Sequence, residues 1–158
     1  MTQNITYIES NSALSTLCEQ ISCASVIALD TEFMRRNTFF PKEALFQVAT
    51  SDVLAIIDPL TIDEWQPFKE LLLNPDCVKV MHACWEDLEV IHSFLGIMPV
   101  NVIDTQLAMA FIGVDSNMSY HRMVEHVLHV DLAKSQTMTD WLQRPLTEQQ
   151  LNYAADDV

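Results

Sequence analysis

Val26-Ile27-Ala28-Leu29-Asp30-Thr31-Glu32-Phe33 is four apolar residues running directly into two carboxylates set two positions apart. The unbroken apolar start reads as a buried strand at the centre of a sheet. Along a strand, side chains at i and i+2 share a face, so Asp30 and Glu32 converge. Two such acids at the end of an apolar strand repel one another unless a cation sits between them. The same pattern also fits a strand leaving the core for solvent. Taken alone, it leaves both readings open.

On the N-terminal side, Leu14, Leu17, Cys18 and Ile21 carry the helical spacing. On the C-terminal side, Ala44–Thr50 and Val53–Ile57 read as strands joined by a turn at Ser51-Asp52, so the three strands suggest an antiparallel meander. Thr61-Ile62-Asp63-Glu64 has a capping-box pattern, followed by Trp65, Phe68 and Leu72 at helical spacing until Pro75. Val78–Met81 predicts a strand, and Trp85, Leu88, Ile91, His92 and Leu95 predict a helical stripe ending at Gly96. A strand at Val100–Ile103 leads through Asp104, an N-cap by position, into a helix to about Ile112. Another helix is expected over Met118–Leu128, a polar loop over Asp131–Thr139, and a last helix from Thr147. Strands followed by alternating helices and strands make this an α/β chain: a mixed β-sheet flanked by α-helices. Neither a linker nor a repeat interrupts it, so residues 1–158 are expected to form a single domain.

Composition narrows the function. Of 158 residues, 22 are acidic and 8 basic, and the net charge of −14 excludes a strongly basic nucleic-acid glove. The hydrophobic fraction of 49% predicts a packed core. Gly96 and Gly113 are the only glycines, which excludes a Walker A loop, a dinucleotide fingerprint and a Gly-x-Ser-x-Gly elbow. The chain carries neither a membrane-length apolar run nor a signal-peptide pattern, so no membrane role is expected. Cys18, Cys23, Cys77 and Cys84 are scattered, as in a reduced, cytoplasmic protein, and argue against a zinc site.

The last helix supplies a second pair of polar residues. Thr147 and Gln150 form a capping box, and Leu146 and Leu151 occupy staple positions. Leu151, Ala154, Ala155 and Val158 then mark the apolar face, with Tyr153 and Asp157 stacked along one edge. Asp156 is turned by about 100° and is expected on the surface. Asp87 falls in the first turn of its helix, where the dipole keeps a carboxylate ionised and ready for a metal; first-turn acids such as neighbouring Glu86 also serve stability alone. His82 is assigned a structural hydrogen-bonding role, and His126 and His129 the surface. Arg35, Arg36 and Lys42 interleave with Phe33, Phe39 and Phe40, a pattern for base stacking with phosphate contacts or for ordinary hairpin packing.

Asp30-Thr31-Glu32-Phe33, the stretch from His82 to Glu89, Asp104-Thr105-Gln106 and Tyr153-Ala154-Ala155-Asp156-Asp157 stand in the order seen in DEDD-type exonucleases. The Tyr-x-x-x-Asp form is that of the tyrosine subgroup. Ile57-Asp58-Pro59-Leu60, Lys134-Ser135 and the stretch from Asp140 to Thr147 make the chain similar to the bacterial ribonuclease D family from about Ile27 to Val158. The resemblance implies an RNase H-like fold. It also implies metal-dependent 3′-5′ hydrolysis of RNA bearing a free 3′ end, releasing nucleoside 5′-monophosphates in tRNA or stable-RNA processing. A DNA-directed exonuclease of the same fold and a non-catalytic RNA- or protein-binding scaffold are the alternatives.

By the same resemblance, Asp30, Glu32, Asp87 and Asp157 hold two divalent ions, Mg²⁺ or Mn²⁺, and Tyr153 orients the attacking water. Phe33, beside the acids, and Lys134, in the polar loop, are assigned to substrate; Arg144 is expected to brace the segment from Asp140 to Thr147. A monomer is favoured. Family members often carry a basic helical module after the nuclease, so the chain is expected to represent the catalytic domain without that module. With Asp157 in a final turn, weak metal and RNA affinity is expected.

Overall fold

The computed structural model describes residues 4–35, 38–132 and 139–158. Among these residues six strands form one sheet: β1 (Ile5–Ile8), β2 (Val26–Met34), β3 (Lys42–Ala49), β4 (Leu54–Ile57), β5 (Val78–Met81) and β6 (Val102–Asp104), in spatial order β1-β4-β3-β2-β5-β6. β2, β3 and β4 pair antiparallel, which is the expected meander, while β1–β4, β2–β5 and β5–β6 pair parallel. β2 is therefore central, as its apolar start requires.

Among the described residues, six helices complete the fold: α1 (Asn11–Ile21), α2 (Gln66–Leu73), α3 (Trp85–Leu95), α4 (Thr105–Phe111), α5 (Tyr120–Leu128) and α6 (Glu148–Asp156). Strand alternation splits the core in two. Ile27, Leu29, Phe46, Val48, Ala55 and Ile57 face one way and meet α1, α2 and α3 through Leu14, Phe68 and Ile91. Phe46 anchors this side, with ring centroids of Trp65 and Phe68 both 5.6 Å away. Leu45 and Ile56 face the other way and bury Trp141 and Ala154, so α6 and the segment before it lie over that face.

Several expected boundaries move. β1 was not anticipated; it is a short strand that completes the sheet only by pairing parallel with β4. The capping box at Thr61 does not form, because the Thr61 hydroxyl bonds to the Asp58 carbonyl and α2 begins later, with Pro67 in its first turn. The strand expected from Val100 spans Val102–Asp104, and the helix expected from Met118 begins at Tyr120. Trp85 leaves the α3 stripe and is 80% exposed; Val90, Ile91 and Leu95 carry the buried face instead. Gly96 ends that helix in the left-handed region at φ 72°, which a residue with a Cβ adopts only at a cost. Among the described residues, no helix is long and apolar enough to cross a membrane.

Candidate active site

β2 and α6 bring three acids together. Asp30 and Glu32 share the face of β2 that α6 covers, and carboxylate oxygens of Asp30, Glu32 and Asp157 lie within 4.8 Å of one another. The expected capping box sets the phase of α6: the Thr147 hydroxyl accepts from Gln150 N–H at 3.2 Å, and the Gln150 side chain accepts from Thr147 N–H at 2.9 Å. With Ala154 buried, Asp157 turns inward and Asp156 outward into solvent, as the helical phase requires.

Asp87 stands outside this group of three, on the Thr31 side of β2, but its charge acts on both Asp30 and Glu32. It is buried in the first turn of α3, where Thr31 donates its hydroxyl to Oδ1 at 2.5 Å. Asp104 sets where that helix begins. Its carboxylate caps α4 and also accepts from Ala83 N–H at 3.0 Å and Cys84 N–H at 3.1 Å. Those two bonds hold a turn in which Ala83 takes a positive φ of 51°. Asp104 is thus an N-cap, as its position suggested, and also a brace, which the sequence did not indicate.

The electrostatics are those of negative charge held together. Burial raises the Asp30 carboxyl well above its ordinary range, and Asp87, Asp157 and Glu32 raise it further. Burial, then Asp157 and Asp87, pushes Glu32 up to about 9. Asp87 is pushed up to about 6 by burial, against the opposing hydrogen bond from Thr31, and Asp157 to about 6 by burial, against that from Tyr153. The Tyr153 hydroxyl bonds to Asp157; burial and the charges of Asp157 and Glu32 raise it far above neutrality. Its ring rests on Trp141 at 5.8 Å.

An all-carboxylate donor set of this kind fits a hard divalent cation, which removes the repulsion that the acids otherwise relieve by taking up protons. Thiolate zinc chemistry does not fit it.

The remaining expected residues divide. Phe33 is half-buried and packs against the main core. Lys134, Ser135 and Arg36 lie outside the described residues. Arg35 is ion-paired with Glu89. Phe39 and Phe40 are exposed and meet edge to face at 5.0 Å, with exposed Lys42 nearby in sequence. His82 is structural: Nδ1 bonds with the Thr105 hydroxyl at 2.9 Å and Nε2 with the Met118 carbonyl at 3.0 Å. His126 and His129 are exposed.

Arg144 does more than brace its own segment. It bonds to the Trp141 carbonyl at 2.8 Å, and its fork grips buried Asp58 at 2.5 and 2.8 Å, which Tyr7 also meets at 2.6 Å. Burial alone would raise the Asp58 carboxyl, but the bonds from Arg144, Tyr7 and Leu60 N–H hold it below its ordinary range.

Two further side chains belong to this neighbourhood and were missed from sequence. Tyr120, at the start of α5, packs edge-on against His82 at 5.6 Å. Its hydroxyl is pushed up to about 12 by burial and by the charges of Asp157, Asp30 and Asp156. Gln47 is wholly buried on β3 directly across from Asp30. Its signal was available: one amide inside the apolar run Ala44-Leu45-Phe46-Gln47-Val48-Ala49.

Comparison with known proteins identifies the family and the fold. A family model described as 3′-5′ exonuclease matches residues 5–158. Ribonuclease D of Pseudomonas paraeruginosa is 49% identical over 154 residues, covering 98% of this chain and 41% of its own. The crystal structure of Escherichia coli RNase D, described as an exoribonuclease involved in structured RNA processing, superposes with a TM-score of 0.95 at 45% identity, again over 98% of this chain and 41% of that one. The catalytic core of RRP6 from Trypanosoma brucei follows the same fold at a TM-score of 0.89 and 26% identity, over 99% of this chain and 43% of its own. The chain thus spans about two-fifths of the length of the curated relatives it matches.

Proposed function

Because the chain belongs to the 3′-5′ exonuclease family, we propose that it hydrolyses RNA stepwise from a free 3′ end, releasing nucleoside 5′-monophosphates. One observation carries this reading: three carboxylates from β2 and the end of α6 meet within 4.8 Å, and the charge of a fourth, Asp87 on α3, acts on two of them. Asp30, Glu32, Asp87 and Asp157 are the residues that would hold two divalent cations, Mg²⁺ or Mn²⁺. When bound, such ions supply Lewis acidity and neutralise charge developing at the scissile phosphate.

The chain's own groups do the positioning. Tyr153 stays protonated at neutral pH, so its hydroxyl is a hydrogen-bond donor that orients the attacking water and is unsuited to act as a base. Phe33 and Lys134 are assigned to the terminal nucleotide and its backbone, with the exposed rings of Phe39 and Phe40 as further stacking surfaces. The acidic surface makes substrate attraction a local matter of these few groups. The setting proposed is cytoplasmic tRNA or stable-RNA maturation, with the chain acting as a monomer.

The test uses 5′-labelled linear RNA with Mg²⁺, with and without a chelator, beside a circular RNA of the same sequence. The expected result is a ladder of shortening products from the linear strand, no products under chelation, and an intact circle. Cleavage of the circle, or shortening that ignores the chelator, overturns the reading.

A further inference from the structure

Gln47 has no exposed surface, and neither its amide nitrogen nor its amide oxygen has a hydrogen-bond partner. A buried amide left in that state costs folding free energy, so its retention calls for an explanation. Its surroundings supply one. On its own face of the sheet, Gln47 lies between Leu45 and Ala49 along β3, with Ile56 beside it on β4 and Asp30 beside it on β2. The diagonal positions on β2 are Ala28 and Glu32. On the β4 side the diagonal positions are Leu54 and, just past the strand, Asp58, whose carboxylate is already taken by Arg144, Tyr7 and Leu60 N–H. The polar neighbours left for the Gln47 amide along the ladder are Asp30 and Glu32 of the acidic cluster. Directly paired residues have Cβ atoms about 4.5–5.5 Å apart, within reach of a glutamine arm, and the terminal torsion of that arm is soft.

We propose that Gln47 is a positioning residue for Asp30: in the cation-loaded site its carboxamide N–H is donated to the Asp30 carboxylate and fixes the orientation of that group. The inference rests on the cation reading of the cluster. An ionised carboxylate accepts and never donates, so an amide donor on its protein side holds one oxygen and leaves the other for the cation. Gln47 would then do for Asp30 what Thr31 does for Asp87, from the neighbouring strand.

The experiment is a calorimetric titration of Mn²⁺ into the wild-type chain and Gln47→Met, with metal-free melting followed by circular dichroism. Methionine keeps the length and apolar volume of the arm and removes the amide. The expected result is a metal-free melting temperature equal to or above that of the wild type, together with Mn²⁺ affinity about 10-fold weaker, the scale at which outer-shell partners act. A residue with only a packing role would not separate these two readouts. Equal Mn²⁺ affinity in a wild type that binds the ion overturns the inference alone. A lower metal-free melting temperature also overturns it, because the amide would then be serving the fold. A wild type that binds no Mn²⁺ overturns the cation reading and this inference with it.

Discussion

Thr31 and Asp87 are joined by a 2.5 Å hydrogen bond although 56 positions separate them, and both side chains are buried. The bond ties α3 to the strand that carries Asp30 and Glu32. Thr31→Val keeps the shape and removes the donor, leaving a buried carboxylate short of a partner. Stability should fall by about 1–3 kcal/mol and turnover of linear RNA by about 10-fold or more. Denaturant titration and single-turnover kinetics measure the two effects; unchanged turnover would separate Asp87 from the chemistry.

Asp30 stands at the focus of the cluster, with Asp87, Asp157 and Glu32 all acting on it. Asp30→Asn should therefore abolish Mn²⁺ binding and RNA shortening more completely than any other single change. Asp156→Asn, on the exposed side of α6, should leave both near the wild-type level. An active Asp30→Asn, or a dead Asp156→Asn beside an active Asp157→Asn, would contradict the assignment.

The metal-free chain should lose stability as the medium becomes more alkaline. Asp87 and Asp157 are held at about 6 and Glu32 at about 9, above the roughly 4 of an unfolded chain. The folded state then binds more protons than the unfolded one. This contribution is complete below about pH 4, and it declines as pH rises through 6 and on toward 9. Asp58 and Asp104, both held low, contribute in the opposite sense near and below about pH 4, and His82, held low by burial, does so at about pH 6 as one group against the raised carboxyls. In a chelator, melting at pH 8 should come below melting at pH 5.5, and saturating Mn²⁺ should shrink or reverse that difference. A metal-free melting temperature that climbs across this window would refute the electrostatic account.

Arg144→Ala should be among the most destabilising single substitutions. It strips the charged partner from a carboxylate only 2% exposed, leaving it Tyr7 and Leu60 N–H alone, and releases the segment that leads into α6. Breaking a buried pair from one side costs about 3–5 kcal/mol. Urea unfolding of the metal-free chain checks the size. Because α6 carries Asp157, Mn²⁺ affinity should drop as well; a loss below about 1 kcal/mol would mean the fork is incidental.

Local signals made much of this legible. The apolar run into Asp30 placed β2 at the centre of the sheet, and the alternation that follows placed Asp30 and Glu32 on one face. Helical phase separated Asp157 from Asp156, because a capping box fixed where α6 starts. Signals with no local cause were lost. β1 exists only because β4 offers it a parallel edge. The Thr61 pattern failed because Asp58, gripped by Arg144 and Tyr7, shapes the turn before α2. Trp85 fits the stripe by spacing alone, yet the burial of Asp87 rotates α3 and turns the ring outward. The proximity of Tyr120 to the acids depends on where α5 packs, and that of Gln47 on the register of β3 against β2; the expected meander gave the pairing but not that register.

Asp30 and Glu32 lie in the second strand and Asp157 at the close of the sixth helix, so the two halves of the carboxylate cluster leave the ribosome far apart in time. Until α6 has seated on the sheet, the strand acids are a repelling pair without their third member. The full donor set therefore needs α6 in place, and a divalent cation that prefers it would act as a latch on the folded sheet and helix. At 100 times its dissociation constant such an ion adds about 2.7 kcal/mol to the folded state. On the proposed reading, the cation site would then be complete only once α6 has seated on the sheet.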